Sequence, residues 1–257
     1  MRFALEVRRG RDVAAEFATS LEKEIKAAGG ETVDPESEPD MVIAVGGDGT
    51  MLAGVRKALA YDVPVLGFNL GTMGFLTEAD PSSLKEVVGR LTAGDFETVD
   101  RMTICATVDR VSTSGVNDVV VEKIDSQRLV ELAVSIDGVD FTTYRADGII
   151  IATPTGSSAY SFSAGGPLVD HSLDALILTP VAAHSLFDRS VVIPATSEIA
   201  IRVARDRSVH VTVDKNDLGH LATGETVIVS RGPQAARFVS LTGRPFVELV
   251  KSKFELG

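Results

Sequence analysis

Up to about residue 96 the apolar positions of the chain alternate between two rhythms. Arg2–Arg8 reads as a short strand. Residues 11–28 then set Val13, Phe17, Leu21 and Ile25 four apart, which draws one apolar stripe on a helix, and Gly29-Gly30 end it. Met41–Val45 is wholly apolar and runs into a turn, the pattern of a parallel strand buried on both faces. A helix is expected over Thr50–Ala60, a strand over Val63–Phe68, and a helix over Pro81–Leu91 with proline in its first turn. Strands separated by helices predict a parallel sheet built from βαβ units.

Beyond residue 96 helical periodicity stops and β-branched residues dominate. Strands are expected over Phe96–Asp109, Val116–Lys123, Leu129–Ile136 and Val139–Tyr144. Asp137-Gly138 between the last two has the composition of a two-residue type I′ hairpin turn, since glycine accepts the positive φ that turn requires. Further strands are expected at Gly148–Ala152, Leu176–Thr179, Ser190–Ile193, Glu198–Val203, Val209–Val213 and Thr226–Ser230, and a short helix at Phe246–Phe254. The expected architecture is therefore an α/β N-terminal domain with a parallel sheet, residues 1–96, plus a mostly β C-terminal domain, residues 97–239. The segment from about residue 240 to 257 is expected to pack back on the first domain. No repeat or low-complexity tract interrupts this pattern.

Length and composition agree with it. A chain of 257 residues suits two domains, and 44% hydrophobic with 24% charged residues excludes disorder, collagen and coiled coil. No apolar run reaches the roughly 18 residues of a membrane span. Charge interrupts the start at Arg2, Glu6 and Arg8, so no secretory leader is expected. The single cysteine, Cys105, excludes an internal disulfide and a thiolate metal site, and it reads as a small core residue within a strand. These features predict a cytoplasmic protein. The net charge of −11 comes without a basic stripe, so neither nucleic acid nor a membrane is an expected partner. An anionic ligand would have to be held by local amides and a few cations.

Two segments carry candidate chemistry. Val45-Gly46-Gly47-Asp48-Gly49-Thr50 lies between a buried strand and a helix. Its glycines let the backbone turn sharply and approach a ligand, and the following helix offers a phosphate seat at its N-terminus. Asp48 beside a phosphate would hold a divalent metal or accept a proton; the alternative is a tight turn with Asp48 as the helix cap. Neither a Walker A loop nor G-x-G-x-x-G occurs. The second segment runs from Arg145 through Asp147, Thr153-Pro154-Thr155-Gly156-Ser157-Ser158-Ala159-Tyr160 and Ser163 to Gly165-Gly166-Pro167. Its small hydroxyl-bearing residues suit a flat hydrogen-bonding ligand, a structural role for the serines is equally open, and no G-x-S-x-G nucleophile motif is present. His171, His210 and His220 have no metal-ligand spacing. His184, in a strand-exit loop, reads as a structural histidine, with a role on phosphate or water as the alternative.

Gly46-Gly47-Asp48-Gly49-Thr50, Asn117-Asp118, the segment from Asp147 to Pro167, and Leu178-Thr179-Pro180-Val181-Ala182-Ala183-His184-Ser185-Leu186 occur in the order seen in NAD kinases. The chain resembles that family over about residues 40–195. The turn alone is shared with diacylglycerol, sphingosine and phosphofructokinase-like kinases, whereas the Thr153–Pro167 pattern is specific. Two departures stand out. Asn117-Asp118 replaces the usual Asn-Glu, and a later Asp-Gly-Gln is replaced near Val213-Asp214-Lys215-Asn216, so no contact is carried over there.

The resemblance implies a NAD kinase/diacylglycerol kinase-like first domain and transfer of a phosphoryl group to the 2′-hydroxyl of NAD, giving NADP. The donor would be ATP or polyphosphate, with Mg²⁺ as the expected divalent metal and a homodimer or homotetramer as the expected assembly. It implies Asp48 as general base, with Gly47, Gly49 and Thr50 framing phosphates. Asn117 and Ser158 would read the adenine edge, with Phe75 against its ring. Asp118 would hold ribose hydroxyls and Asp147 would face the nicotinamide carboxamide. Thr155, Ala159, Tyr160, Ser163 and Ala182 would surround the dinucleotide, and Arg128 and Arg145 are the expected cations of that half. A lipid or sugar kinase sharing only the glycine turn, and a non-catalytic NAD-binding protein, are the competing readings. The first leaves the Thr153–Pro167 segment without a purpose, and the second leaves Asp48 without one.

Overall fold

The computed structural model describes residues 1–256 apart from Pro35, Thr72, Met73, Ser126 and Asp206. The chain divides into two compact units, Met1–Arg101 with Ala236–Gly257, and Met102–Ala235.

The first unit opens with β1 (Arg2–Val7), α1 (Asp12–Ala27), β2 (Glu31–Val33), β3 (Met41–Gly46), α2 (Asp48–Tyr61) and β4 (Val65–Asn69). A 3₁₀ turn at Pro81–Ser83 leads into α3 (Leu84–Ala93), followed by β5 (Glu97–Arg101). After the second unit the chain returns as β18 (Ala236–Ser240) and α5 (Phe246–Phe254). The six strands lie in the order β2-β1-β3-β4-β18-β5, all neighbours parallel except β18 and β5. The order reverses between β1 and β3, because α1 carries the chain outward to β2 and α2 carries it the other way to β4. Such a reversal opens a crevice beyond the carboxyl ends of the two strands. Phe3, Met41, Ile43, Leu66 and Phe68 form the sheet's share of the core, against Leu21 and Ile25 of α1 and Val88 and Leu91 of α3.

Two local expectations change. The buried stripe of α1 is Ala14, Ala18, Leu21 and Ile25, while Val13 is 63% exposed. A step of four residues overshoots a helical turn by about 40°, so a strict four-residue series leaves the buried face after three steps. Phe96–Asp109 is not one strand. Its first part, β5, pairs antiparallel with β18 and joins the first sheet, moving the change of unit to Arg101/Met102.

The second unit contains β6 (Ile104–Val108), β7 (Val111–Gly115), β8 (Asp118–Lys123), β9 (Val130–Ile136), β10 (Val139–Ala146), β11 (Gly148–Ala152) and the short helix α4 (Tyr160–Ser163). It continues with β12 (Ala175–Val181), β13 (Val191–Pro194), β14 (Ile199–Val203), β15 (Val209–Val213), β16 (Asn216–Leu221) and β17 (Thr226–Arg231). They form two six-stranded sheets, β10-β9-β14-β17-β6-β7 and β13-β12-β11-β8-β15-β16, with antiparallel pairing throughout. Leu132, Ile201 and Val229 of the first sheet meet Val121, Ile149 and Val211 of the second in one core. The second sheet is buried on its other face too, where Val120, Ile150 and Ile177 pack with Val169 and Ala164. That double burial explains the unbroken Ile149-Ile150-Ile151 run. Asp137 and Gly138 have φ of 51° and 77°, the geometry of a type I′ turn. Cys105 is a correction: Ile104 and Ala106 are buried, and the strand's period of two turns Cys105 to the other face, where it is half-buried.

Candidate active site

In the first unit β3, buried at every residue, delivers the glycine turn to the crevice where the strand order reverses. Gly47 is the N-cap of α2 and supplies no side-chain cap, so the helix enters with unpaired amides. Asp48 is therefore not the cap. It stands in the first turn, and its carboxylate reaches 27 and 28 residues ahead, accepting hydrogen bonds from Phe75 N at 3.1 Å and Leu76 N at 3.2 Å. The approach is close enough that a Cβ at Gly74, 2.0 Å from Asp48 Oδ1, would force the carboxylate to move. Gly47 has φ −111° and open space around a would-be Cβ, so the sharp turn itself does not require glycine there.

Around Asp48 lies a cavity of about 310 Å³. Gly46 and Gly47 form part of its wall, and so do three cations that the sequence reading missed: Arg8, Arg11 and Lys253. Arg8 directly follows β1, with its N–H donating to Val45 O at 3.0 Å, and Arg11 precedes α1. Lys253 comes from α5, and its Nζ lies 5.8 Å from the centre of the Phe75 ring, which Phe254 also contacts at 6.1 Å. A periodic reading of sequence has no signal for such residues, because each lies on a different element. Gly49 and Thr50 follow Asp48 in the first turn of α2; Gly49 is exposed and Thr50 half-buried.

In the second unit the Asn117-Asp118 pair, at the start of β8, is held by Asp214, in the stretch from which no family contact was carried over. Asp214 Oδ2 accepts from Val116 N at 2.7 Å, and Oδ1 accepts from Asn117 N at 2.8 Å and Asp118 N at 3.2 Å. Burial, and then the neighbouring Asp214 charge, push the Asp118 carboxyl up to about 7. Asn117 Oδ1 is buried with no hydrogen-bond partner among the described residues. The Thr153–Gly156 turn is locked to the same pair. Thr153 N donates to Asn117 O at 2.8 Å, and a Cβ on Gly156 would stand 2.0 Å from that oxygen, so only glycine fits.

The hydroxyls of the next segment divide by direction. Ser157 donates to Pro154 O at 2.6 Å and accepts from Val169 N at 3.0 Å, and Ser161 meets Thr179 Oγ1 at 2.9 Å; both serines are buried braces. Thr155 is also buried. Ser158 and Ala159 are half-buried, whereas Tyr160 and Ser163 are exposed. The Tyr160 hydroxyl is pushed up by burial and then by the charges of Glu122, Asp147 and Asp118. Asp147 forms an ion pair with Lys123 at 2.5 Å, a partner absent from the sequence reading.

Arg128 and Arg145, together with Arg205 and Arg207, line a second cavity of about 440 Å³. Ala182 is exposed in a left-handed conformation, φ 47°. His184 is exposed, and its backbone N–H donates to Arg145 O at 2.7 Å. Among the described residues no group of three or more His, Cys, Asp or Glu side chains is arranged to hold a metal ion. Nor, among them, is any helix long and apolar enough to cross a membrane.

Residues 15–96 match the ATP-NAD kinase N-terminal domain and residues 116–241 the ATP-NAD kinase C-terminal domain. The NAD kinase of Symbiobacterium thermophilum is 41% identical over 84% of this chain and 78% of its own length. That of Citrifermentans bemidjiense is 36% identical over 96% and 90%. Among solved structures, yeast NADH kinase complexed with NADH superposes with a TM-score of 0.91 at 22% identity, covering all of this chain and 88% of its own. An NAD kinase from Archaeoglobus fulgidus in complex with ATP gives 0.82 at 24% identity and covers both chains fully. These two likenesses establish the fold.

Proposed function

Because the chain belongs to the ATP-NAD kinase family, we propose that it phosphorylates NAD. The 2′-hydroxyl oxygen of the adenosine ribose attacks the terminal phosphorus of ATP, or of polyphosphate. The bond from that phosphorus to its bridging oxygen breaks, and NADP leaves with ADP or the shortened chain. Asp48 accepts the hydroxyl proton. The observation that carries this reading is Asp48 itself, a carboxylate aimed by two backbone amides at the mouth of an uncapped helix N-terminus. Such a reaction needs positioning, charge neutralisation and an oriented hydroxyl more than covalent help from the protein.

Gly47, Gly49 and Thr50 frame the donor phosphates, and Phe75 lies against the adenine ring. In the second unit Asn117 and Ser158 read the adenine edge. The unpartnered Asn117 Oδ1 supports this, since an adenine amino group would satisfy it. Asp118 binds ribose hydroxyls, as acceptor when ionised and as donor when protonated. Asp147 meets the nicotinamide carboxamide, with Thr155, Ala159, Tyr160, Ser163 and Ala182 around the dinucleotide and Arg128 and Arg145 as further cations. A divalent metal, Mg²⁺, fits as a companion of the donor. It keeps mostly phosphate and water ligands and needs one or two carboxylates, and Asp48 is the carboxylate beside the turn. When bound it would neutralise charge on the phosphates.

The exposed side chains of Val139, Phe141, Leu186 and Phe187, with the two phenyl rings 5.8 Å apart edge to face, support a homodimer or homotetramer. Incubation with NAD, Mg²⁺ and ATP, followed by detection of NADP with an NADP-specific dehydrogenase, tests the reading. Absence of NADP with both ATP and polyphosphate would overturn it.

A further inference from the structure

We propose that Lys253 of the C-terminal helix, with Arg8 and Arg11, forms the cationic wall that binds the phosphates of the donor. The proposal rests on the reading of the chain as an NAD kinase and names residues for its donor side. Three observations from separate parts of the first unit converge on it.

The first is place. Arg8 leaves the carboxyl end of β1, and the glycine turn leaves that of β3, the two strands between which the sheet order reverses. Ligands of open α/β sheets bind at that crevice. The second is the backbone. First-turn residues of α1 (Val13, Ala14) and of α2 (Asp48) line the same cavity, and neither helix has a side-chain N-cap. The positive ends of their dipoles favour an anion there. The third is charge. In a chain of net charge −11, three cations and one carboxylate, Asp48, line this cavity. The global field therefore repels a polyanion, and this local excess of positive charge opposes it.

Lys253 has a second connection to the reaction. Its ammonium lies over the Phe75 ring, and the Phe75 amide donates to Asp48 Oδ2. The half-buried stem of Lys253 keeps its charge beside the segment that aims the base. A flexible surface lysine would lack that fixed position. The last helix thus carries a phosphate ligand into a site otherwise built from the first hundred residues.

The test uses the full chain. Lys253→Met retains the stem over Phe75 and removes the charge, Lys253→Arg restores the charge, and Arg8→Gln removes a cation without touching α5. Binding of ATP and of inorganic tripolyphosphate is followed by calorimetry at two salt concentrations, and steady-state kinetics separate the donor from NAD. Lys253→Met and Arg8→Gln should each weaken both donors by about 10-fold, the size of one charge-assisted phosphate contact, and flatten the salt dependence. KM for NAD should stay within about 2-fold, and Lys253→Arg should recover most of the loss. Donor affinities unchanged in Lys253→Met and Arg8→Gln would overturn the proposal. So would equal losses in Lys253→Met and Lys253→Arg, which would mark Lys253 as packing. A wild-type chain that binds ATP through these cations yet makes no NADP would overturn the NAD kinase reading and leave the cationic wall standing.

Discussion

Asp214→Asn preserves the shape of a buried side chain and removes the charge that orders Asn117 and Asp118. The carboxylate accepts three backbone N–H groups, from Val116 on one oxygen and from Asn117 and Asp118 on the other. An amide has one oxygen. If that oxygen keeps Asn117 and Asp118, the Val116 N–H faces an NH₂ group and loses its acceptor. Orphaning a buried donor costs about 1–3 kcal/mol, and loss of charge assistance in the other two bonds adds to it, for a total of about 2–4 kcal/mol. A second effect opposes the first. The folded-state pKa of Asp118 stands at about 7, above its ordinary 3.8, through burial first and Asp214 second. A raised carboxyl pKa means that the folded state binds the extra proton, so this group's contribution to stability falls as pH rises from about 4 through about 7. At about 1.4 kcal/mol per pKa unit the whole window amounts to about 4 kcal/mol in wild type. Asp214→Asn removes the Coulombic part and leaves the part due to burial. The variant should therefore be less stable than wild type at pH 5, and the gap should narrow by pH 8. The chain has no tryptophan, so urea unfolding followed by far-UV circular dichroism across this range is the appropriate measurement. A gap that is constant or grows with pH would refute the coupling between the two carboxyls.

Asp48→Asn should retain NAD binding and lower kcat by about 10² to 10⁴, the usual contribution of a positioned base; near-normal turnover would remove Asp48 from that role. Gly74→Ala puts a methyl group 2.0 Å from Asp48 Oδ1, so kcat should drop by about 10² through displacement of the base, and an unchanged kcat would show that its position is unimportant. At Gly47 a Cβ meets open space, so Gly47→Ala should alter stability by less than about 0.5 kcal/mol while raising KM for ATP; an unchanged KM would contradict phosphate approach there. Asp147→Asn should lower kcat/KM for NAD and raise it for nicotinic acid adenine dinucleotide, because the mutation removes anion repulsion and leaves Lys123 to attract the acid. The crossover should span about 30- to 1000-fold, and a fixed ratio between the two dinucleotides would rule out carboxamide recognition by Asp147.

Features set by a few neighbouring residues were legible in the chain alone. Met41–Val45 announces a doubly buried strand because nothing polar interrupts it, and the structure extends it by only Gly46. Asp137-Gly138 dictates its hairpin through the φ values those two residues tolerate, and Phe246–Phe254 is helical at the expected residues. Short polar strands were not legible. Val111–Gly115 and Asn216–Leu221 have no apolar run, and pairing partners rather than propensity make them strands. β5 shows the same limit at the level of the sheet: it lies within an expected strand, but four exposed residues and the half-buried Arg101 belong to the first sheet only because β18 returns to pair with them.

The candidate site divides along the same line. The glycine turn and the Thr153–Pro167 segment are contiguous, and their composition exposed them at once. The groups that aim and charge the site are distant in sequence. Asp214 reaches Val116 across 98 residues, Lys123 reaches Asp147 across 24, and Lys253 closes the cavity of a turn near residue 47. Period and propensity act through bonds and neighbouring turns, over a handful of residues. A carboxylate's partners and a cavity's charge are fixed by whichever surfaces the fold brings within a few ångströms, and only tertiary structure decides that.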